Sequence, residues 1–404
     1  MIAAYIARFD RAIWILALGW FVSAMGFSVS LPFISIYFHG EAGMSIAAVG
    51  LVFGLMAIVR SVFQALGGEL ADHVPRTRLL LYSQLARAAT FVLMTAAVHF
   101  RWPISVIVAT LMVNASFGAV FQPTANALIT DILPPEKRMD GFAICRAGMN
   151  LGWAVGPALG GLLAAYAFSL LFAISSVITL ASCIIYGLFL KVSATGRTTA
   201  AFKFSHILIV AADRRMLIHC ILFFLLSLVI AQLIAPFSIY VVDMLFVAKP
   251  HLGLLYTLNG LLVAVFQLPV TRLAARFKLT DQLVLGALLY GIGYALVGWR
   301  HTALQLIPVI VLVTFAEIIV SPPAATLTSR LAPPERMGRY MGIFGFFSAS
   351  GWSFGPLYGG MIIQYLGQWP AMCWAAIAAM AFIAAAGYKF MGAGDLPANL
   401  NRSV

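Results

Sequence analysis

Apolar runs of about twenty residues, almost free of charge, recur along the whole of the 404-residue chain. A helix rises about 1.5 Å per residue, so such a run crosses a hydrocarbon core of about 30 Å. In lipid every backbone N–H and C=O must be satisfied within the segment, which selects helices. Twelve runs are present, near 12–38, 45–71, 79–99, 103–131, 139–165, 168–191, 216–242, 252–276, 281–299, 303–331, 338–365 and 369–391. The pattern predicts an all-α polytopic membrane protein. Charged residues make up only 9% of the chain, too few to cover a soluble surface of this size. Nothing at the start reads as a cleaved signal, because the first apolar run is long and no polar domain follows a small-residue cleavage site.

The basic residues set the predicted orientation. With the N-terminus inside, 19 of the 25 Lys and Arg fall on the cytoplasmic side, and only Arg101, Lys249 and Arg300 fall outside. Arg60, Arg87 and Arg146 lie within spans. This bias places both termini in the cytoplasm of a cell inner membrane. It also accounts for the net charge of +12 as topology plus attraction to anionic lipid, with no nucleic-acid partner implied. The four cysteines fall inside spans without paired spacing and read as packing residues.

The chain repeats itself. "LGWAVGPALGGLL" from Leu151 is echoed by "SGWSFGPLYGGMI" from Ser350, and "PTANALITDILPPEKR" from Pro123 by "PPAATLTSRLAPPERM" from Pro322. At an offset of 199, thirteen of the 39 residues over 123–161 are identical. Earlier spans match at an offset of 203, with Gly50 on Gly253 and the tripeptide Ser-Ile-Tyr at both Ser35 and Ser238. Two copies of one six-helix unit are therefore expected in the same orientation, related by a pseudo-two-fold axis along the membrane normal. The predicted units are residues 1–192 and 215–404, joined by a cytoplasmic linker over 193–214 that includes a short amphipathic helix near 202–210.

Over essentially its whole length this plan resembles the major facilitator superfamily. The resemblance implies two six-helix bundles enclosing a central cavity and exposing it to each side in turn. "GELADHVPRTR", predicted as the loop after the second span, is similar to the superfamily's signature loop, with Gly68, Asp72 and Arg76 in place. His73 and Pro75 depart from it. The family role would make Asp72 a latch on Arg76 and on the start of the eleventh helix, whose amide end carries about half a positive charge. The second copy has Ala275 at the equivalent position.

Gly148, Gly152, Gly156 and Gly160 are spaced by four and share one face of the fifth helix, next to Gly161. Such faces let helix backbones approach closely in lipid, and Pro157 removes a hydrogen bond and predicts a bend. Each half is expected to press this helix against the opposite half. The stretch resembles the family's antiporter motif, found in drug exporters of the twelve-helix drug:proton group.

Charge within the spans marks the candidate site. Of the 13 acidic residues, only Glu317 falls near mid-membrane, where an ionised carboxylate is costly and a proton carrier is useful. Its surroundings, "FAEIIVSPPAATL", resemble the tenth helix of multidrug facilitators. Arg60 lies near the midplane of the second span, while Arg87 and Arg146 sit nearer the cytoplasmic ends, within reach of the interface. An Arg60–Glu317 pair across the cavity is one arrangement these positions allow. Drug-exporting relatives carry an arginine in the fourth span; here "VNASFGAVFQP" places Asn114 there. The 30 Phe and 16 Met suit loosely recognised hydrophobic substrates.

No phosphate-cradling loop, metal-ligand spacing or hydrolase triad occurs, so no cofactor and no enzymatic activity are expected. The leading reading is a proton-coupled exporter of small hydrophobic or cationic compounds, with small-molecule substrate, protons and lipid as its partners and a monomer as the family's expectation. An exporter of an anionic metabolite, siderophore or lipid-like molecule using the embedded arginines is the alternative. A non-transporting sensor or scaffold is the reading from a different class.

Overall fold

The computed structural model describes residues 9–190, 213–333 and 336–401. The linker expected over 193–214 and its amphipathic helix lie outside the described residues, apart from Asp213 and Arg214.

Twelve long helices carry the described chain: α1 (Arg11–Ile36), α2 (Ile46–His73), α3 (Arg76–His99), α4 (Ile104–Ile132), α5 (Pro135–Tyr166), α6 (Phe168–Phe189), α7 (Arg214–Ile230), α8 (Lys249–Ala274), α9 (Leu279–Val297), α10 (Ala303–Leu331), α11 (Met337–Leu366) and α12 (Pro370–Phe390). Each coincides with a predicted span to within a few residues except α7, which ends at Ile230 while the predicted span to 242 is completed by shorter helical turns up to Met244. Ten are long and apolar enough to cross a membrane. The two that fall short, α5 and α11, are the glycine-rich pair, whose mean hydropathy is diluted by the residues that let them pack closely.

Local chemistry fixes several ends. The Asp10 carboxylate accepts from the Ala12 amide at 2.7 Å and starts α1, and Asp213 accepts from Arg215 and Met216 and starts α7. Pro135 opens α5 at a position whose N–H has no intrahelical partner. After α1 the chain widens into a π turn over Tyr37–Glu41. After α7 it runs through Pro236–Ile239 into a second π turn over Tyr240–Met244. The two π turns begin 203 residues apart, the offset read in the sequence.

The repeat extends to packing. In the first six helices α1 lies on α5 and α6, and α3 on α4 and α6; in the last six α7 lies on α11 and α12, and α9 on α10 and α12. Two compact units result. One is built mainly from the first six helices and takes in Ala248–Gly260 from the start of α8; the other is built mainly from the last six and takes in Phe38–Ala57, including the start of α2.

The glycine faces explain this exchange and correct one expectation. A Cβ on Gly148 would stand 2.6 Å from the Ala17 carbonyl oxygen, and one on Gly152 would stand 2.5 Å from that of Phe21. Gly156 meets Ser28 and Met25, and Gly160 meets Val29 and Phe33. The four-spaced face therefore packs on α1 of its own repeat, not on the opposite half. Contact with α8 comes from the adjoining face, where Gly161 meets Lys249 and Pro250, Gly253 meets Pro157, and Gly260 meets Ala154. The second copy is laid out alike. Gly351 and Gly355 face α7 and Gly359 meets Gln232 and Pro236 just beyond its end, while Gly360, Pro356 and Ser353 receive Ile46, Gly50 and Gly54 of α2. A helix must be bare on two sides to be packed on two sides, and that is why the costly phrase occurs twice.

Candidate functional site

Inside the first unit a cavity of about 100 Å³ opens among α1 to α5. Trp20, Phe27, Phe121, Met149 and Trp153 give it an apolar, aromatic wall; Ser23, Arg60, Arg87, Asn114 and Gln122 supply the polar groups. Among the described residues no carboxylate lines it. Two of the three embedded arginines and Asn114 are thus brought to one place. Arg146 is exposed on α5 and is not part of this wall.

Arg87 is 4% exposed. Its Nη1 donates to the Ser23 hydroxyl oxygen at 3.2 Å, an atom that also accepts from Gln84 Nε2 at 2.8 Å. Its own carbonyl accepts from Asn114 Nδ2 at 3.3 Å, and that amide also donates to the Thr90 hydroxyl at 2.7 Å. Asn114 therefore braces α4 to α3 beneath the guanidinium. The Arg87 Nε–H has no hydrogen-bond partner among the described residues. Gly118 makes the space for this head group, since a Cβ there would stand 3.3 Å from Nε. Arg60 is half-buried, and both guanidinium carbons lie over the Phe27 ring, at 5.6 Å for Arg60 and 5.3 Å for Arg87. Phe27 is held edge-on by Trp153. The aromatic face carries partial negative charge and moderates two like charges that water cannot fully screen.

Glu317 projects from α10 of the second unit and is exposed, while Ala316 and Ile318 on either side are buried. It acts electrostatically on Tyr290 of α9. Arg60 and Glu317 belong to different units.

At the latch motif, helix α2 continues to His73, so Gly68 and Asp72 occupy its last turns. The expected loop shrinks to Val74–Pro75. The side chains of Gly68 and Asp72 lie outside the described residues. Arg76 is buried and forms an ion pair with Asp131 at the end of α4, while also donating to the carbonyls of Ala71 (3.2 Å) and Ala127 (2.9 Å). Asp131 stands at the end of a span, where a charge is unremarkable in sequence. Its signal lay in the repeat, where Arg330 stands at the equivalent place and no matching pair is expected. Ser23, Gln84 and Phe27 carried no signal beyond their residue type.

Comparison with known proteins places this geometry in context. The Major Facilitator Superfamily profile matches residues 16–356 and 222–398. The chain is similar to an uncharacterized MFS-type transporter, YttB of Bacillus subtilis, at 26% identity over 362 residues, covering 88% of this chain and 89% of that protein. It is similar to the multidrug resistance protein MdtH of Salmonella arizonae at 25% identity over 376 residues, covering 91% and 90%. Among solved structures, a peptide transporter POT in complex with sulfate superposes with a TM-score of 0.78 at 15% identity, covering 98% of this chain and 96% of that one. A variant of the nucleoside transporter NupG gives 0.78 at 13% identity, covering 94% and 100%. At such identities the structures speak for the fold alone. Twelve helices in two repeats of one packing plan and a profile match along the chain lead to one assignment: this chain belongs to the Major Facilitator Superfamily, whose members are membrane transporters.

Proposed function

We propose that the chain is a proton-coupled exporter of small hydrophobic compounds, acting as a monomer in the inner membrane with both termini cytoplasmic. The observation that carries this reading is the distribution of charge: an aromatic cavity with embedded arginines in one unit, and Glu317 on α10 of the other. Ionisable side chains at membrane depth are costly and mark substrate or proton pathways.

In the proposed cycle Glu317 takes a proton from the outside as substrate departs and surrenders it inside before substrate binds again. Linkage then requires that proton and substrate oppositely bias the same states. Arg76, paired with Asp131, acts with Gly68 and Asp72 of the signature motif as the conformational latch at the cytoplasmic ends of α2 to α4. The four-spaced glycine faces hold α5 and α11 tightly on α1 and α7 of their own repeats, and the adjoining faces that meet α8 and α2 act as the close-packed surfaces that move in the cycle. The similarity to MdtH supports export of hydrophobic compounds, and the antiporter-like stretch supports exchange for protons.

The test is proton release from acid-loaded inverted vesicles on addition of hydrophobic compounds, beside vesicles carrying Glu317→Gln. Compound-triggered release that disappears in the variant is the expected result. Unchanged release in the variant would remove Glu317 from coupling.

A further inference from the structure

We infer that the cavity between α1 and α5 binds an oxyanion (a carboxylate, sulfonate or phosphate) on an aromatic or apolar body, so that the exported compounds are amphipathic anions. This rests on the export reading above and names the substrate class of that site.

Four observations carry it. The cavity wall holds two guanidinium groups and, among the described residues, no carboxylate. Arg87 is almost wholly buried, yet its Nε–H is unpartnered among the described residues while Nη1 is anchored on Ser23. A buried donor left unmatched is expensive, more so when charged, and an oxyanion supplies the acceptor it lacks. Gly118 puts no side chain against the Nε edge, where a Cβ would stand 3.3 Å away and press on it. Finally, the body of such a ligand has a ready surface, since Trp20, Phe27, Phe121 and Trp153 line the same space as the arginines. A cation would meet two like charges there; a neutral compound would leave both guanidinium groups without a counter-charge.

The ligand chemistry could come from a free molecule or from a lipid headgroup, and the proposal commits to the free molecule. The experiment uses purified full-length protein in phosphatidylcholine nanodiscs. Equilibrium binding is measured for three fluorescent aromatic probes, namely anilinonaphthalene sulfonate (anionic), N-phenylnaphthylamine (neutral) and ethidium (cationic). Saturable sulfonate binding is expected, with ethidium not competing. The variants Arg60→Gln and Arg87→Gln should each weaken it roughly tenfold, as loss of one charge-assisted contact implies, with the neutral probe changed less than about twofold. Arg87→Lys should restore part of the affinity. Should the Gln variants fail to fold, displacement of the sulfonate from the wild-type protein by benzoate, with no displacement by benzylamine, still decides the matter.

No saturable binding of the sulfonate, or equal displacement by benzylamine, overturns the inference. Displacement by added phosphatidylglycerol would reassign the site to lipid and also overturn it. Failure of the export reading looks different. Glu317→Gln should bind the sulfonate normally; if it also transports the sulfonate against a gradient of its own making, proton coupling through Glu317 fails while the anion site stands.

Discussion

Counted from their helix starts, Arg87 on α3 and Tyr290 on α9 hold the same position (76 to 87, 279 to 290), as do Gly118 on α4 and Glu317 on α10 (104 to 118, 303 to 317). In the first repeat the pair is a cation beside a glycine that makes room for it. In the second it is a carboxylate acting on a tyrosine. The backbone plan was kept while the charge was inverted. The difference teaches that one scaffold can carry opposite charges at equivalent pairs of positions, which is the basis for proposing an anionic ligand at the first repeat's position and a proton at the second's.

The buried polar residues of the two repeats differ in the same sense. Around Arg87 they surround an open space. In the second unit they close on themselves, where His219 is fully buried and stacked on Phe344. Its Nε2 faces the Ala324 carbonyl at 3.2 Å and the Thr328 hydroxyl at 3.1 Å, and its Nδ1 faces the Tyr388 hydroxyl at 3.1 Å. A carbonyl only accepts, so Nε2 carries the proton and Nδ1 accepts from Tyr388. This knot ties α7, α10 and α12 and leaves no side-chain nitrogen of His219 for a ligand.

The comparison can be broken at its strongest common point. Gly156→Val and its counterpart Gly355→Val should both abolish folded protein or lower its thermal stability severely. The first drives a side chain into Ser28 and Met25, the second into Ala231 and Leu228. Overpacking costs about 1–3 kcal/mol where neighbours can yield, and helix backbone yields least. A tolerated change in one copy alone would show that the two glycine faces are not equivalent.

A smaller effect separates the repeats. Asp131→Asn removes its ion pair with buried Arg76 and should lower stability by roughly 2 kcal/mol, below the range for fully buried pairs because Asp131 keeps a quarter of its exposure. Chemical denaturation in mild detergent checks this, and an unchanged midpoint would reduce the pair to a surface contact.

Smaller again is Tyr388→Phe, which removes from the His219 knot the hydroxyl shared between His219 Nδ1 and the His219 carbonyl oxygen and should cost about 1 kcal/mol. Transport should be unaffected. A loss of coupling in that variant would mean the closed knot takes part in the cycle, and the proposed division between repeats would need redrawing.

Much of this architecture was legible before any coordinates. Long apolar runs admit one backbone solution in lipid, so all twelve helices were readable, and the glycine and proline echoes revealed the repeat. Arg60, Arg87, Asn114 and Glu317 were visible because a polar group in an apolar span is conspicuous. What surrounds them was not. Spacing by four shows that Gly148 to Gly160 share a face, but not that α1 meets it, because helix rotation is set by neighbours far along the chain. Ser23 and Phe27 look like any other small or aromatic residue of α1 until its rotation turns them toward Arg87. Arg146 shows the converse: conspicuous in sequence, it lies outside the cavity wall.

The central claim is that the two units divide the work, and the most direct test separates the two tasks in one preparation. Proteoliposomes carrying wild type or Glu317→Gln are loaded with an aromatic sulfonate and assayed both for one-for-one sulfonate exchange without a proton gradient and for accumulation driven by one. Glu317→Gln should keep exchange at near wild-type rate and lose driven accumulation to background. Loss of both would place Glu317 in substrate binding, and retention of both would show that the proton travels elsewhere; either result contradicts the account.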